Sequence, residues 1–162
     1  MSQKYTSANT SVNKGKLPRI YSLVEITPDI SVIDYGCGKY FDSYNLGDNI
    51  VGYDPYNRNN DSLLLNKYDV ALCSNVLNVI AEREERIKLL RTLKKLAKTI
   101  FITVYEGDKS RNSRMTKRDC YQLNWQRSDY IPELVEVFGF GNVRWNKRGY
   151  FDCSSNAESE VI

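Results

Sequence analysis

Val32-Ile33-Asp34-Tyr35-Gly36-Cys37-Gly38 is the stretch on which the reading of this chain turns. It closes the run Ile30 to Asp34, short, apolar and rich in β-branched residues, as expected of a buried strand. The D-x-G-x-G turn that follows supplies two glycines where backbone with positive φ, or a close approach to a ligand, is needed. That turn falls at the carboxyl end of the first strand, where open α/β sheets bind their ligands. The next strand, Asn49 to Tyr53, ends at Asp54-Pro55. An acid at that place, about 20 residues on, accepts hydrogen bonds from ribose hydroxyls in such folds. Glycine turn and acid together point to an adenosine-containing ligand. Each also has a plainer reading: Asp34 as a cap, Asp54 as a turn residue before proline, and the glycines as a tight strand-to-helix turn. A single site accounts for all of them at once.

A dinucleotide site requires G-x-G-x-x-G and a helix whose amides face a pyrophosphate. Here the third position is Phe41, and residues 40–47 allow only one or two helical turns. Adenosylmethionine has no phosphate and does not need that cradle. It needs backbone room beside its methionine part and an acid at the ribose.

Outward from this motif, the chain alternates. A short amphipathic helix is expected over Leu17 to Ile26, with Pro18 in its first turn. Leu63 to Tyr68 is ambiguous, with a helical turn one reading. Asp69 to Ser74 reads as a third strand and Thr99 to Val104 as a fourth. Between them, Glu82 to Lys98 carries Ile87, Leu90, Leu93, Leu96 and Ala97 as one apolar stripe, with Glu82/Arg86 and Glu84/Lys88 spaced for i,i+4 pairing. Residues 107–128 break the alternation. Asp129 to Phe138 resumes as helix, and Val143 to Trp145 with Tyr150 to Cys153 read as a closing antiparallel pair. The expected class is α/β: a Rossmann-like, mostly parallel sheet with helices on both faces, an abbreviated middle and a C-terminal antiparallel strand pair. Residues 1–16 read as an arm, 17–155 as one domain and 156–162 as a flexible tail.

Composition narrows the chemistry. The 162 residues include no histidine, which excludes Ser-His-Asp and Cys-His catalysis and leaves Asp, Glu, Lys, Tyr, Cys or water as a base. Cys37, Cys73, Cys120 and Cys153 are far apart, so buried reduced thiols are expected and no zinc site. The net charge of +3 says little about partners. The N-terminus has no apolar core resembling a signal peptide, and no run reaches the ~20 apolar residues of a membrane span. A reducing, cytoplasmic setting is the expectation.

Tyr68 to Ile80 (YDVALCSNVLNVI) resembles the post-strand motif of class I S-adenosylmethionine-dependent methyltransferases, where a strand ends in a polar residue beside the cofactor, and Thr103 to Asp108 resembles the strand-five end of that superfamily, which borders the acceptor site. The order of pieces is similar from about residue 17 to residue 153. Asp34 to Tyr40, Asp54 to Arg58 and Ser74 to Ile80 also look similar to small methyltransferase-like proteins of phages and bacteria. The resemblance implies S-adenosylmethionine as cofactor. Gly36 and Gly38 would face its methionine part, and Asp34 would orient the loop and the methionine amine. Asp54 would hold the ribose and Tyr56 stack on adenine, while Ser74 and Asn75 would lie near the sulfur. Apart from the resemblance, Glu106 is the candidate base, or Tyr105 a positioning group, with packing the plainer reading of a strand-end tyrosine. Two departures stand out. The family's third glycine is replaced by Tyr40, and the span from Asp54 to Asp69 has no room for the usual helix and third strand, the source of the residue that reads adenine.

The acceptor is open. Lys109, Arg111, Arg114, Lys117 and Arg118, with Tyr121 and Trp125 nearby, could grip nucleic acid. A solvated mobile loop is the plainer reading. The D-P-P-Y or N-P-P-Y run of amine-directed DNA methylation is absent where the family places it, Ser74-Asn75-Val76-Leu77 standing there. Two other readings of the chain remain: a binding or regulatory protein that keeps the fold without catalysis, and a nucleic-acid-binding module working through residues 109–127.

Overall fold

The computed structural model describes residues 15–115 and 120–155. The expected arm over residues 1–16 lies almost wholly outside the described residues, as do Lys117, Arg118 and the expected tail over 156–162. Six strands form one sheet: β1 (Val32–Tyr35), β2 (Ile50–Tyr53), β3 (Tyr68–Ser74), β4 (Ala97–Thr103), β7 (Val143–Asn146) and β8 (Tyr150–Ser154), in the order β2-β1-β3-β4-β8-β7. The first four are parallel, and β8 joins β4 antiparallel with β7 at the edge. A separate two-stranded ribbon pairs β5 (Arg114–Met115) with β6 (Tyr121–Gln122) inside the basic stretch. The expected Rossmann-like sheet and its closing antiparallel pair are both present.

Side-chain alternation along the strands divides the core. Ile33, Ala71, Cys73, Ile100, Ile102 and Phe151 face one side. There they meet α2 (Arg83–Leu96) and α3 (Ile131–Phe138). Val32, Val70, Leu72 and Tyr150 face the other and meet Ile20 and Leu23 of α1 (Ile20–Leu23). The first helix is thus four residues, shorter than its apolar spacing predicts, because Val24 turns to extended backbone. On this same side Phe41, in a 3-10 turn over Phe41–Tyr44, lies against Gly52, where an added Cβ would come within 2.6 Å of its ring.

The long helix is built from strong helix formers, with Glu84 and Glu85 in its first turn and Lys94 and Lys95 in its last, as the helix dipole favours. Ile87, Leu90, Leu93 and Leu96 are buried on the sheet, each burial being worth about 1.5–3 kcal/mol. No loop follows: Ala97 is already extended and begins β4. Arg86 does not pair with Glu82 as its spacing predicts. It turns inward to Glu133 of α3, 2.7 Å away and buried.

Between β2 and β3 there is only a 3-10 turn, Asp61–Leu65. The abbreviated middle is therefore as the sequence predicts, with β2 the edge strand. The chain reverses between β1 and β3, β2 lying to one side and β3 to the other. That reversal opens a crevice at the carboxyl ends of these strands. Among the described residues no helix is long and apolar enough to cross a membrane.

Candidate functional site

A cleft of about 360 Å³ occupies that crevice. Gly36, Gly38, Asp54, Tyr56 and Asn75, five of the seven residues expected to hold a cofactor, line it. Both glycines have positive φ, +82° and +75°. They differ in what surrounds them. A Cβ on Gly36 would stand 2.5 Å from Cγ2 of Val76, whereas one on Gly38 would meet nothing within 4 Å. Gly36 is required by packing of the turn against the segment after β3; Gly38, which lines the cleft, has open space where a side chain would stand. Gly36→Ala should therefore cost about 2–3 kcal/mol in stability, from left-handed strain plus overpacking. Gly38→Ala should cost about 1–2 kcal/mol, from strain alone. Urea unfolding of the two variants checks the order, and an equal or greater loss for Gly38→Ala would reject it.

Asp54 is buried, and its carboxylate organises backbone. Oδ1 accepts from the amides of Tyr56 (2.9 Å) and Asn57 (3.0 Å), and Oδ2 accepts from the Gly38 amide at 3.0 Å. Amide hydrogen bonds to a carboxylate are strong. This one residue shapes the turn after β2 and ties it to the glycine turn. The turn reading and the site reading of Asp54 thus converge: it faces the cleft while bracing both loops.

Asp34 lies beneath the glycine turn, 2% exposed, and is not among the residues that line the cleft. The Tyr21 hydroxyl, on α1, donates to its Oδ2. Burial pushes the Asp34 carboxyl up to about 6; the Tyr21 hydrogen bond opposes that shift and the charge of Asp54 adds to it. Burial raises the Tyr21 phenol as well, reinforced by the neighbouring Asp34.

Asn75 takes left-handed backbone, φ +56°, and its amide donates to the Thr103 carbonyl at 2.9 Å, which joins the ends of β3 and β4. Ser74 does not line the cleft; its hydroxyl accepts from Thr103 Oγ1 at 3.1 Å. Tyr105 and Glu106 follow β4 and are also outside the cleft lining. Tyr105 is 61% exposed. Glu106 accepts the Arg127 amide at 2.9 Å and lies 3.9 Å from the Lys109 ammonium.

The basic stretch is less bare than its sequence reads. Lys109 faces Glu106, and Arg111 is paired with Asp129 at 2.9 Å. Arg114 lies in β5 and is exposed. A buried amide cluster pins this segment to the β3 end: Asn78 donates to Gln122 at 3.1 Å and accepts from the Tyr105 amide at 3.3 Å, and Gln122 donates to the Tyr105 carbonyl at 3.0 Å. No local sequence signal marked Gln122, since its partners lie 17 and 44 positions away. The sequence reading also passed over the far wall of the cleft, made by Glu85, Lys88, Leu89 and Thr92 of α2. Their i, i+3, i+4, i+7 spacing marks one helix face, but its polar members read as solvated surface.

The architecture is that of an α/β protein with a Rossmann-like sheet and a crevice at its switch point. No family profile matches the chain, and no curated protein matches it by sequence. Solved structures do match by fold. A SAM-dependent methyltransferase from Methanosarcina mazei superposes with a TM-score of 0.52 at 11% identity, over 85% of this chain and 95% of that one. CalO1, a methyltransferase of calicheamicin biosynthesis solved with S-adenosylhomocysteine, gives 0.49 at 12% identity over 82% of this chain, which spans half of its length. The N-terminal domain of EvdMO1, also with S-adenosylhomocysteine, gives 0.48 at 14% identity, over 83% of this chain and 75% of that one. The chain has the fold of the S-adenosylmethionine-dependent methyltransferases that its motifs resemble.

Proposed function

We propose that this protein binds S-adenosylmethionine in the cleft at the switch point and transfers its methyl group to an acceptor. The observation that carries the reading is the open space beside Gly38: a turn of positive φ at the end of β1, free of side chain, hydrogen-bonded to Asp54 at the wall of the cleft and followed by a 3-10 turn rather than a long helix that would cradle phosphate. That arrangement fits a ligand with a bulky methionine arm and a ribose but no phosphate. The SAM-dependent methyltransferase of like fold supports the same assignment.

The bound sulfonium would supply an activated methyl group for in-line displacement by O, N or S. The protein's share is orientation. Gly36 and Gly38 leave room for the methionine arm, and Asp34 sets the turn that shapes it. Asp54 keeps Oδ2 at the ribose side while holding the Gly38 amide. Tyr56, 45% exposed at the mouth of the cleft, offers a ring to the base. Asn75 lies on the sulfur side, with Ser74 behind it. The acceptor enters over the ends of β3 and β4. There Glu106 is proposed to take its proton and Tyr105 to position it. A nucleic-acid acceptor would lie along Lys109, Arg111, Arg114, Lys117 and Arg118.

Isothermal titration with S-adenosylmethionine and S-adenosylhomocysteine tests the reading. Wild type should bind both with Kd on the order of micromolar, and Gly38→Ala, whose added methyl would stand in open space at a residue that lines the cleft, should bind at least about tenfold more weakly. Absence of heat with either ligand would remove the cofactor site. Binding without methyl transfer to any acceptor pool, nucleic acids included, would leave a binding protein on this fold.

A further inference from the structure

The far wall of the cleft raises a question of recognition. The segment joining β2 to β3 contributes only Asp54, Pro55 and Tyr56 to the lining, since residues 61–65 form a 3-10 turn and Leu65 is 85% exposed. Among the described residues, no strand lies beyond β2 to present a side chain to a bound base. The cleft is closed there by α2, through the stripe Glu85, Lys88, Leu89 and Thr92.

We propose that Glu85 and Lys88 of α2 read the edge of the adenine, in the place a third strand's residue would otherwise take. The inference rests on the cofactor reading above and extends it to base recognition. Tyr35, Val76, Val79 and Leu89 also line the cleft and offer apolar surface to a flat ring, with Tyr56 in the same lining. Glu85 and Lys88 stand one turn apart on the same helix face, one acceptor and one donor. The adenine edge presents the matching pair, the donor amine N6 and the acceptor N1. Their helix neighbours are already committed elsewhere, Arg83 to Glu136 and Arg86 to Glu133. Tyr56 feels this wall: burial raises its phenol, and the charges of Asp54 and then Glu85 add to the shift.

The test compares S-adenosylhomocysteine with S-ribosylhomocysteine, the same ligand lacking the base, by titration. The ratio of their affinities isolates the base. In wild type the base should strengthen binding by about a hundredfold; in the Glu85→Ala/Lys88→Ala double variant that ratio should fall about tenfold, the share of hydrogen bonds to charged groups at a partly exposed site. Glu85→Gln, which keeps an acceptor, should recover part of it. A general disturbance of α2 would weaken both ligands alike and leave the ratio unchanged. An unchanged ratio, with S-adenosylhomocysteine still bound, overturns the role of Glu85 and Lys88. Failure of wild type to bind S-adenosylhomocysteine overturns the cofactor reading itself, and this inference with it.

Discussion

Glu133→Ala should lower the stability of the protein by about 3–5 kcal/mol, the cost of leaving one member of a buried ion pair alone. Arg86 and Glu133 have side chains only 3% and 6% exposed, and they meet by two hydrogen bonds, Nε to Oε2 at 2.9 Å and Nη2 to Oε1 at 2.7 Å. The other guanidinium nitrogen, Nη1, donates to the carbonyls of Ile80 and Ala81 at 2.8 and 2.9 Å, and the Trp125 ring stacks over the group with its centroid 4.6 Å away. One cation thus joins α2, α3 and the loop after β3. Ordinary domains are stable by only 5–15 kcal/mol, so the loss would remove a large share of the total. Urea unfolding reads it directly. The Arg86→Met/Glu133→Leu pair should recover much of the loss, since paired apolar replacement avoids the stranded charge, though not all of it, because the two carbonyls lose their donor. A change below about 1 kcal/mol in Glu133→Ala would show the pair to be dispensable. Because Val79 and Ile80 line the cleft, the stabilisation given by a bound ligand should shrink as well.

Arg86 also shows where the sequence stops being informative. Its spacing from Glu82 is that of an exposed i,i+4 pair, and nothing local distinguishes it from Lys88 two positions on. Its partner is 47 residues away, and only the packing of α2 on α3 brings them together. Glu106 is a similar case. It stands at a strand end, where a base would be placed, yet its carboxylate already receives the Arg127 amide, 21 residues on. The basic stretch carries Asp119 as its one acid in the sequence, while the partners of Lys109 and Arg111, Glu106 and Asp129, lie just outside residues 109–127. By contrast the glycine turn, the strand-end acid and the missing third strand were legible. They follow from local physics: β-branched runs, positive φ, and a span too short for a helix and a strand. The cleft's floor could therefore be read from the chain, but its α2 wall could not. A polar helix face looks the same whether it borders water or a ligand.

Asp34 is the site residue whose charge has a measurable cost, and Asp34→Asn should make the ligand-free protein more stable at neutral pH. The folded protein holds the Asp34 proton up to about 6, against an ordinary value of 3.8. Between those values the folded state binds more protons than the unfolded chain, so this group's contribution falls as pH rises through the window and is constant above it. The shift corresponds to about 3 kcal/mol lost by pH 7. Asparagine removes the charge and keeps an acceptor for the Tyr21 hydroxyl. Its advantage over wild type should be near zero below the ordinary carboxylate range, grow between pH 4 and 6, and level off beyond, in thermal or urea unfolding followed against pH. An advantage independent of pH would mean that packing, not charge, accounts for it. A carboxylate kept in so unfavourable a place is the kind of local misfit expected at a functional site. If its charge serves the ammonium of the proposed ligand, S-adenosylhomocysteine should lose more affinity in Asp34→Asn than 5′-methylthioadenosine, which lacks the amino-acid arm. The same preference should fade in wild type as pH drops below 6. Equal losses for the two ligands would reduce Asp34 to a structural brace for the glycine turn. Its raised carboxyl would then reflect burial beside Tyr21 and nothing more.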